Sequence, residues 1–156
     1  MKYRHMLLGL AATAICVSAF AHHGWSSFDQ DRPLYLSGEV KSVRWQNPHA
    51  ETVLSVDARL ALPVSLTADA LPAQTQSVDR TTLLKNLQLP PSPAGDWEVE
   101  FAPLTRMHAW GVAALKAGDR IELIGYAGVP GKPKLMRVEY LIVGGKAYGL
   151  RSMPVN

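Results

Sequence analysis

Five short stretches of apolar residues in strand-like patterns, with one helix-spaced stretch between the third and the fourth, constrain this chain more than any other feature. Gly38 to Trp45 carries Val43 and Trp45 on one face, with Val40 leading in from Gly38. Asn47-Pro48 is a turn signal, and Glu51 to Val56 is the return strand, with Thr52, Leu54 and Val56 on one side. Asp96 to Phe101 alternates cleanly, with Trp97, Val99 and Phe101 together. Pro103 suits the first turn of a helix, Leu104, Met107, His108 and Leu115 fall near helical spacing, and Gly118 is the stop. Arg120 to Tyr126 and Leu135 to Val143 are the last two strands, joined by a turn at Gly128 to Pro133. Three strands, a helix and two strands is the order of a mainly β, OB-like five-stranded barrel, in which the helix plugs one end.

Residues 58–95 read differently. Pro63, Pro72, Pro90, Pro91 and Pro93 fall among many Ser, Thr, Ala and Gln residues, and only Thr81 to Leu87 has the pattern of a short element. This stretch is expected to be a poorly ordered insertion within one domain of residues 22–156.

Residues 1–21 have the form of a secretory leader. Lys2 and Arg4 give the positive end, and Met6 to Val17 is an apolar run of about twelve residues, too short to cross a bilayer. Ala19-Phe20-Ala21 is a cleavage site that leaves His22 first, and Val17-Ser18-Ala19 is a second that leaves Phe20 first. Ile15 before Cys16 argues against a lipid anchor. The chain is therefore expected in the periplasm or secreted, with no membrane span once the leader is gone. Of 156 residues, 47% are hydrophobic and 19% charged, as in a folded domain. Without Lys2 and Arg4 there are 14 Lys and Arg against 13 Asp and Glu, which gives no electrostatic reason to expect nucleic acid as a partner. Cys16 is the sole cysteine, so the processed chain has no disulfide, thiolate nucleophile or zinc–thiolate site.

The histidines carry the most specific chemistry. His22, His23, His49 and His108 follow the leader. A first-position histidine offers a metal its α-amino nitrogen and its ring Nδ1, and a second imidazole completes a three-nitrogen histidine brace, a set that suits Cu(II). His49, just after Asn47-Pro48, is the candidate for the other arm, and His23 is an additional ligand. If Phe20 is first, His22 is third, a position that binds Cu(II) or Ni(II) through the amine, two amides and the imidazole. The competing reading is a solvated chain start, with His49 only fastening a turn. His108 falls on the apolar face of the helix and is expected in the core.

Other candidates are weaker. Asp29 and Asp31 read as a solvated loop, and Glu98 and Glu100 as the solvent face of a strand. Ser26 and Ser27 lack the setting of a nucleophile. Gly125, Gly128 and Gly131 read as hairpin punctuation, and Trp45 and Trp97 as core, although with Trp25 and Trp110 they could line a groove.

The sequence resembles a bacterial family of small exported proteins defined only as a domain of unknown function. The matching residues are His22-His23-Gly24, Phe28-Asp29, Gly38-Glu39-Val40 and Trp45-Gln46-Asn47-Pro48-His49, then Trp97 to Glu100, Trp110-Gly111 and Lys116 to Asp119. The resemblance covers most of 22–58 and 96–147, departs at 58–95, and implies export and a β fold without an activity. The function expected is copper binding or handling through His22, His23 and His49. The runner-up is a metal-free module holding a small molecule or an envelope protein, and an oxidative copper enzyme ranks third.

Overall fold

The computed structural model describes residues 24–129, 132 and 134–155. Residues 1–23, which hold the expected leader, His22 and His23, lie outside them, as do Pro130, Gly131, Pro133 and Asn156. The protein is mainly β. Its strands are β1 (Phe28–Arg44), β2 (Glu51–Val56), β3 (Gly95–Glu100), β4 (Arg120–Gly128), β5 (Leu135–Val143) and β6 (Lys146–Gly149), with helices α1 (Arg80–Lys85) and α2 (Leu104–Ala109). They form one six-stranded sheet in the order β3-β2-β1-β4-β5-β6. All neighbours in that order are antiparallel, and β3 also pairs in parallel with β5 from Glu98–Leu135 to Glu100–Arg137.

Two strands differ from the expected set, β6 and β1. β1 begins at Phe28 instead of Gly38, because Pro33 to Glu39 pair with Tyr126 to Arg120 of β4 before Gly38 to Arg44 turn to pair with β2. Gly38 is paired on both sides, to Val56 and to Ile121, and a Cβ there would overlap the Ser55 carbonyl oxygen. Close approach of two strands explains a glycine inside a strand. The sixth strand comes from Lys146–Gly149, which the sequence shows only as a tail.

The main core lies on one face of the sheet. Val40, Leu54, Trp97, Val99, Phe101, Met107, Leu123, Met136 and Val138 meet there, all at most 1% exposed. The strand alternation puts Trp97 and Val99 inside, as expected, while Glu98 faces out. Trp45 is only half-buried and packs on the rim of that cluster, its ring 6.5 Å from Phe101.

The helix is shorter than its sequence spacing suggests. α2 stops at Ala109, and Gly111 adopts φ +68°, a left-handed value that ends the helix there. Leu115 is still buried, but from the following loop. Met107 is the buried residue of α2, and His108, one position on, is exposed. The expectation of a core histidine therefore fails at His108: a six-residue helix buries one narrow stripe, and position 108 is off it.

Residues 58–95 are also corrected. They do not trail from the sheet but pack across its other face. Leu71 and Leu83 bury against Tyr35, Ile124 and Tyr140, with Leu66, Val78, Leu84, Leu87 and Leu89 around them. The backbone of Gln88 bonds to Tyr35 and Pro33, and Gln74 bridges to Pro154 of the tail. Asp79 caps α1 by accepting from the Thr82 amide at 3.0 Å. The prolines set the corners of this strap, while its leucines supply an apolar underside that the composition conceals.

Candidate functional site

His49 is half-buried on the β1–β2 turn, which begins with a cis Asn47–Pro48 bond. Both flanks of the turn are tied down. The Asn47 side-chain oxygen accepts from the Leu104 amide at the start of α2, at 3.1 Å. Ala50 exchanges backbone bonds with Phe101 and Ala102 at 2.8 and 3.3 Å. The imidazole is thus presented from a fixed backbone, as the sequence suggested.

Its partner was not foreseen. His49 Nε2 lies 3.2 Å from Arg137 Nη2. A guanidinium only donates, so Nε2 is the accepting nitrogen of the ring. Arg137 also donates to Glu100 at 3.2 Å and stands over the Trp25 indole, 5.4 Å from the ring centroid. Arg151 lies over the same indole at 4.0 Å. Trp25 meets Tyr126 edge-on, with centroids 6.1 Å apart and planes at 82°. Phe28 and Leu135 complete the apolar floor. Trp25 therefore occupies a slot lined by two arginines, one of which meets His49.

The charges behind this slot are buried and paired. Arg151 donates to Glu139 at 2.6 Å, with 12% and 0% of the two side chains exposed. Gln74 of the strap donates to the other Glu139 oxygen at 3.0 Å. Burial pushes the Glu139 carboxyl above its ordinary range, against the opposing pull of Arg151. Burial lowers the Arg137 guanidinium, and Glu100 offsets part of that. Burial raises the Tyr126 phenol to about 12, so it stays a neutral wall at physiological pH.

A break in strand pairing aims these groups. β4 and β5 change register between Ile124 and Gly125, whose partners are Tyr140 and Val138, leaving Glu139 as the extra residue. Met136, Val138 and Leu141 thus turn into the main core, while Arg137, Glu139 and Tyr140 belong to the other face. Gly125 stands at this irregularity, where a Cβ would overlap the Arg137 carbonyl oxygen. It is a strand residue required by close approach and not hairpin punctuation.

The remaining candidates disperse. Asp29 pairs with Arg32 at 2.6 Å on β1, and Asp31 is exposed on the same strand. Glu98 and Glu100 part company, because only Glu100 reaches Arg137. Trp110 donates from Nε1 to the Ser152 carbonyl at 2.8 Å, which ties α2 to the tail. Among the described residues no three His, Cys, Asp or Glu side chains gather as a metal site, and His22 and His23 lie outside those residues. A separate cleft of about 320 Å³ lies at the far end of β4, between Leu115, Arg120, Val143 and Tyr148. Its charges are engaged, Asp119 by the Lys116 amide and Arg120 by Asp57. No helix among the described residues is long and apolar enough to cross a membrane.

The sequence signals for the missed residues were present but quiet. Arg137 and Glu139 are two charges in the otherwise apolar run Leu135 to Val143, and Trp25 is an aromatic two residues after His23. Compared with known families, residues 10–62 match the model of a family of unknown function (DUF6152). The matched span includes His22-His23-Gly24, Trp25, β1, the His49 turn and β2, and it ends at residue 62, in the first residues of the strap and before β3. No curated protein and no solved structure matches the chain.

Proposed function

We propose that this is an exported copper-binding protein whose site joins the processed N-terminus to His49. Removal of residues 1–21 in the periplasm leaves the His22 amine and ring as one pair of nitrogens. His49 is the third donor, and His23 is available as an additional one. The observation that carries this is the position of Trp25: its ring lies under the guanidinium that holds His49. His22 is three residues from Trp25, so its Cα lies within about 11 Å of that of Trp25. The chain start is thus tethered to the neighbourhood of His49.

The same contacts define what the metal must do. His49 Nε2 would hold copper with the lone pair that now accepts from Arg137, and Arg137 would keep Glu100 as its partner. The exchanged hydrogen bond is worth about 1–3 kcal/mol, small beside a chelate of three nitrogens. The scaffold reads as a small OB-like barrel with β6 added to it. The parallel β3–β5 pairing, which gives β3, β2, β1, β4 and β5 two neighbours each within that set of five, supports that, as does α2 between β3 and β4.

A metal-free binding module is the second reading, and the Arg137–His49 bond itself favours it, since that ring nitrogen already has a partner. The experiment is mass spectrometry of the exported protein to find its first residue, then Cu(II) titration read by electron paramagnetic resonance. A start at His22 with a three- or four-nitrogen signal, weakened by one extra residue before His22, is the expected result. Tight binding that ignores the extra residue removes the brace, and weak heterogeneous binding leaves the metal-free module.

A further inference from the structure

We propose that Trp25 is a positioning residue, and that the Arg137–Trp25–Arg151 stack is the latch that docks the start of the chain against the His49 face of the sheet. As a device for the metal site, this rests on the copper reading above. The docking itself stands on contacts among described residues.

Four observations converge on the latch. Arg151 lies 4.0 Å and Arg137 5.4 Å from the Trp25 ring centroid. Both guanidiniums are fixed from behind by carboxylates, Glu139 at 2.6 Å and Glu100 at 3.2 Å, and both side chains are at most 12% exposed. A cation held away from water in this way interacts with an indole face more strongly than a solvated one does. Gln30 Nε2 reaches back to the Trp25 carbonyl at 3.1 Å while its Oε1 accepts from Arg151 at 3.1 Å, which closes a loop through the backbone of the latch. The short turn Trp25–Ser27 buries no residue of its own, so Trp25 is held by these partners and by Tyr126 and not by a helix.

The latch has a directional consequence. Phe28 enters β1 beside Gly128 of β4, while the His49 turn lies at the other end of β1. The Arg137 guanidinium spans that gap, because one group meets both Trp25 and His49. Fixing the chain two or three residues from a ligand raises its effective concentration at the second ligand without any new contact to the metal.

The processed chain has no cysteine once Cys16 is removed, so two spin labels can be placed cleanly. Gly24→Cys and Gln46→Cys are both exposed positions flanking the latch and the His49 turn. Pulsed electron paramagnetic resonance of the metal-free, labelled protein is expected to give a narrow distance distribution with Trp25 and with Trp25→Phe, and a broad one with Trp25→Ala. Thermal unfolding of the three should differ little, since Trp25 lies outside the main core. An equally narrow distribution in Trp25→Ala overturns the latch. With copper added, Trp25→Ala is expected to weaken the His49-dependent signal about tenfold and Trp25→Phe by less than about threefold. Broadening in Trp25→Ala with a copper signal that ignores His49 upholds the docking and overturns the copper reading alone.

Discussion

The two faces of β5 bury their side chains by opposite means. On one face Met136, Val138 and Leu141 join Trp97, Phe101 and Leu123 in a cluster with no charge in it. On the other, Arg137 and Glu139 are 7% and 0% exposed, and each is matched by a charge of opposite sign. The first face is held by area removed from water, which is non-directional and tolerant of chemistry. The second is held by geometry, because a buried charge that loses its partner is costly. A fold can be built on the first alone. Only the second face specifies where a tryptophan and a histidine must lie, and the candidate site is there.

Substitutions on the two faces should separate these roles. The largest effect is expected from Trp97→Ala, which opens a void in the main core and leaves the Pro93 carbonyl without its indole donor. A loss of about 3–5 kcal/mol in urea unfolding is expected, with the copper signal of the folded fraction unchanged. Arg151→Met comes next, at about 3 kcal/mol, because it strands the Glu139 carboxylate at 0% exposure. It should also loosen Trp25, so unlike Trp97→Ala it alters the copper signal. The comparison breaks if both variants move stability and copper binding together.

The sign of the pH dependence follows from Glu139. Burial raises its carboxyl in the folded protein, and loss of Arg151 removes the opposing influence. A raised carboxyl binds its proton more readily folded than unfolded. That contribution to stability is present at low pH and lost as pH rises through the folded value. The deficit of Arg151→Met relative to the parent should therefore be smaller near pH 5 than near pH 8, which urea midpoints at the two values will read. An equal deficit at both would mean that Glu139 reaches water in the variant.

Smaller effects test the strap and the turn. Leu83→Ala, at 6% exposure, is expected to cost about 2 kcal/mol, a value that a segment lying loose on the sheet would not give. Asn47→Ala removes the bond to the Leu104 amide and should cost about 1 kcal/mol, since it acts as a helix cap supplied from another loop. Lys41→Ala breaks only an exposed pair with Asp96 and should change unfolding by less than about 0.5 kcal/mol.

What the sequence makes legible divides along the same line as the two faces. β2 and β3 and the cores of β4 and β5 are plain in it because alternation reports burial on one face, and Trp97 and Val99 point where alternation puts them. The first ten residues of β1 are not, since Asp29, Asp31, Arg32 and Pro33 mask a strand whose burial comes from β4 and the strap. The strap itself hides because its leucines are spread among prolines and have no period. Arg137 and Glu139 are two charges in an apolar run, and nothing local shows that the register shift, the tail and the strap cover them. His49 was marked by its place after Asn47-Pro48, at the hairpin turn. Its arginine was not, because a partner 88 residues away leaves no local mark.

The most direct test compares the two histidines that the structure separates. His49 is half-buried against Arg137, and His108 is exposed on α2. Cu(II) electron paramagnetic resonance of the exported protein starting at His22 should show the bound-nitrogen pattern altered and affinity lowered at least tenfold in His49→Ala, with His108→Ala indistinguishable from the parent. Identical spectra and affinities for the parent and His49→Ala would contradict the account and leave the Arg137–His49 pair as a purely structural fastening of the turn.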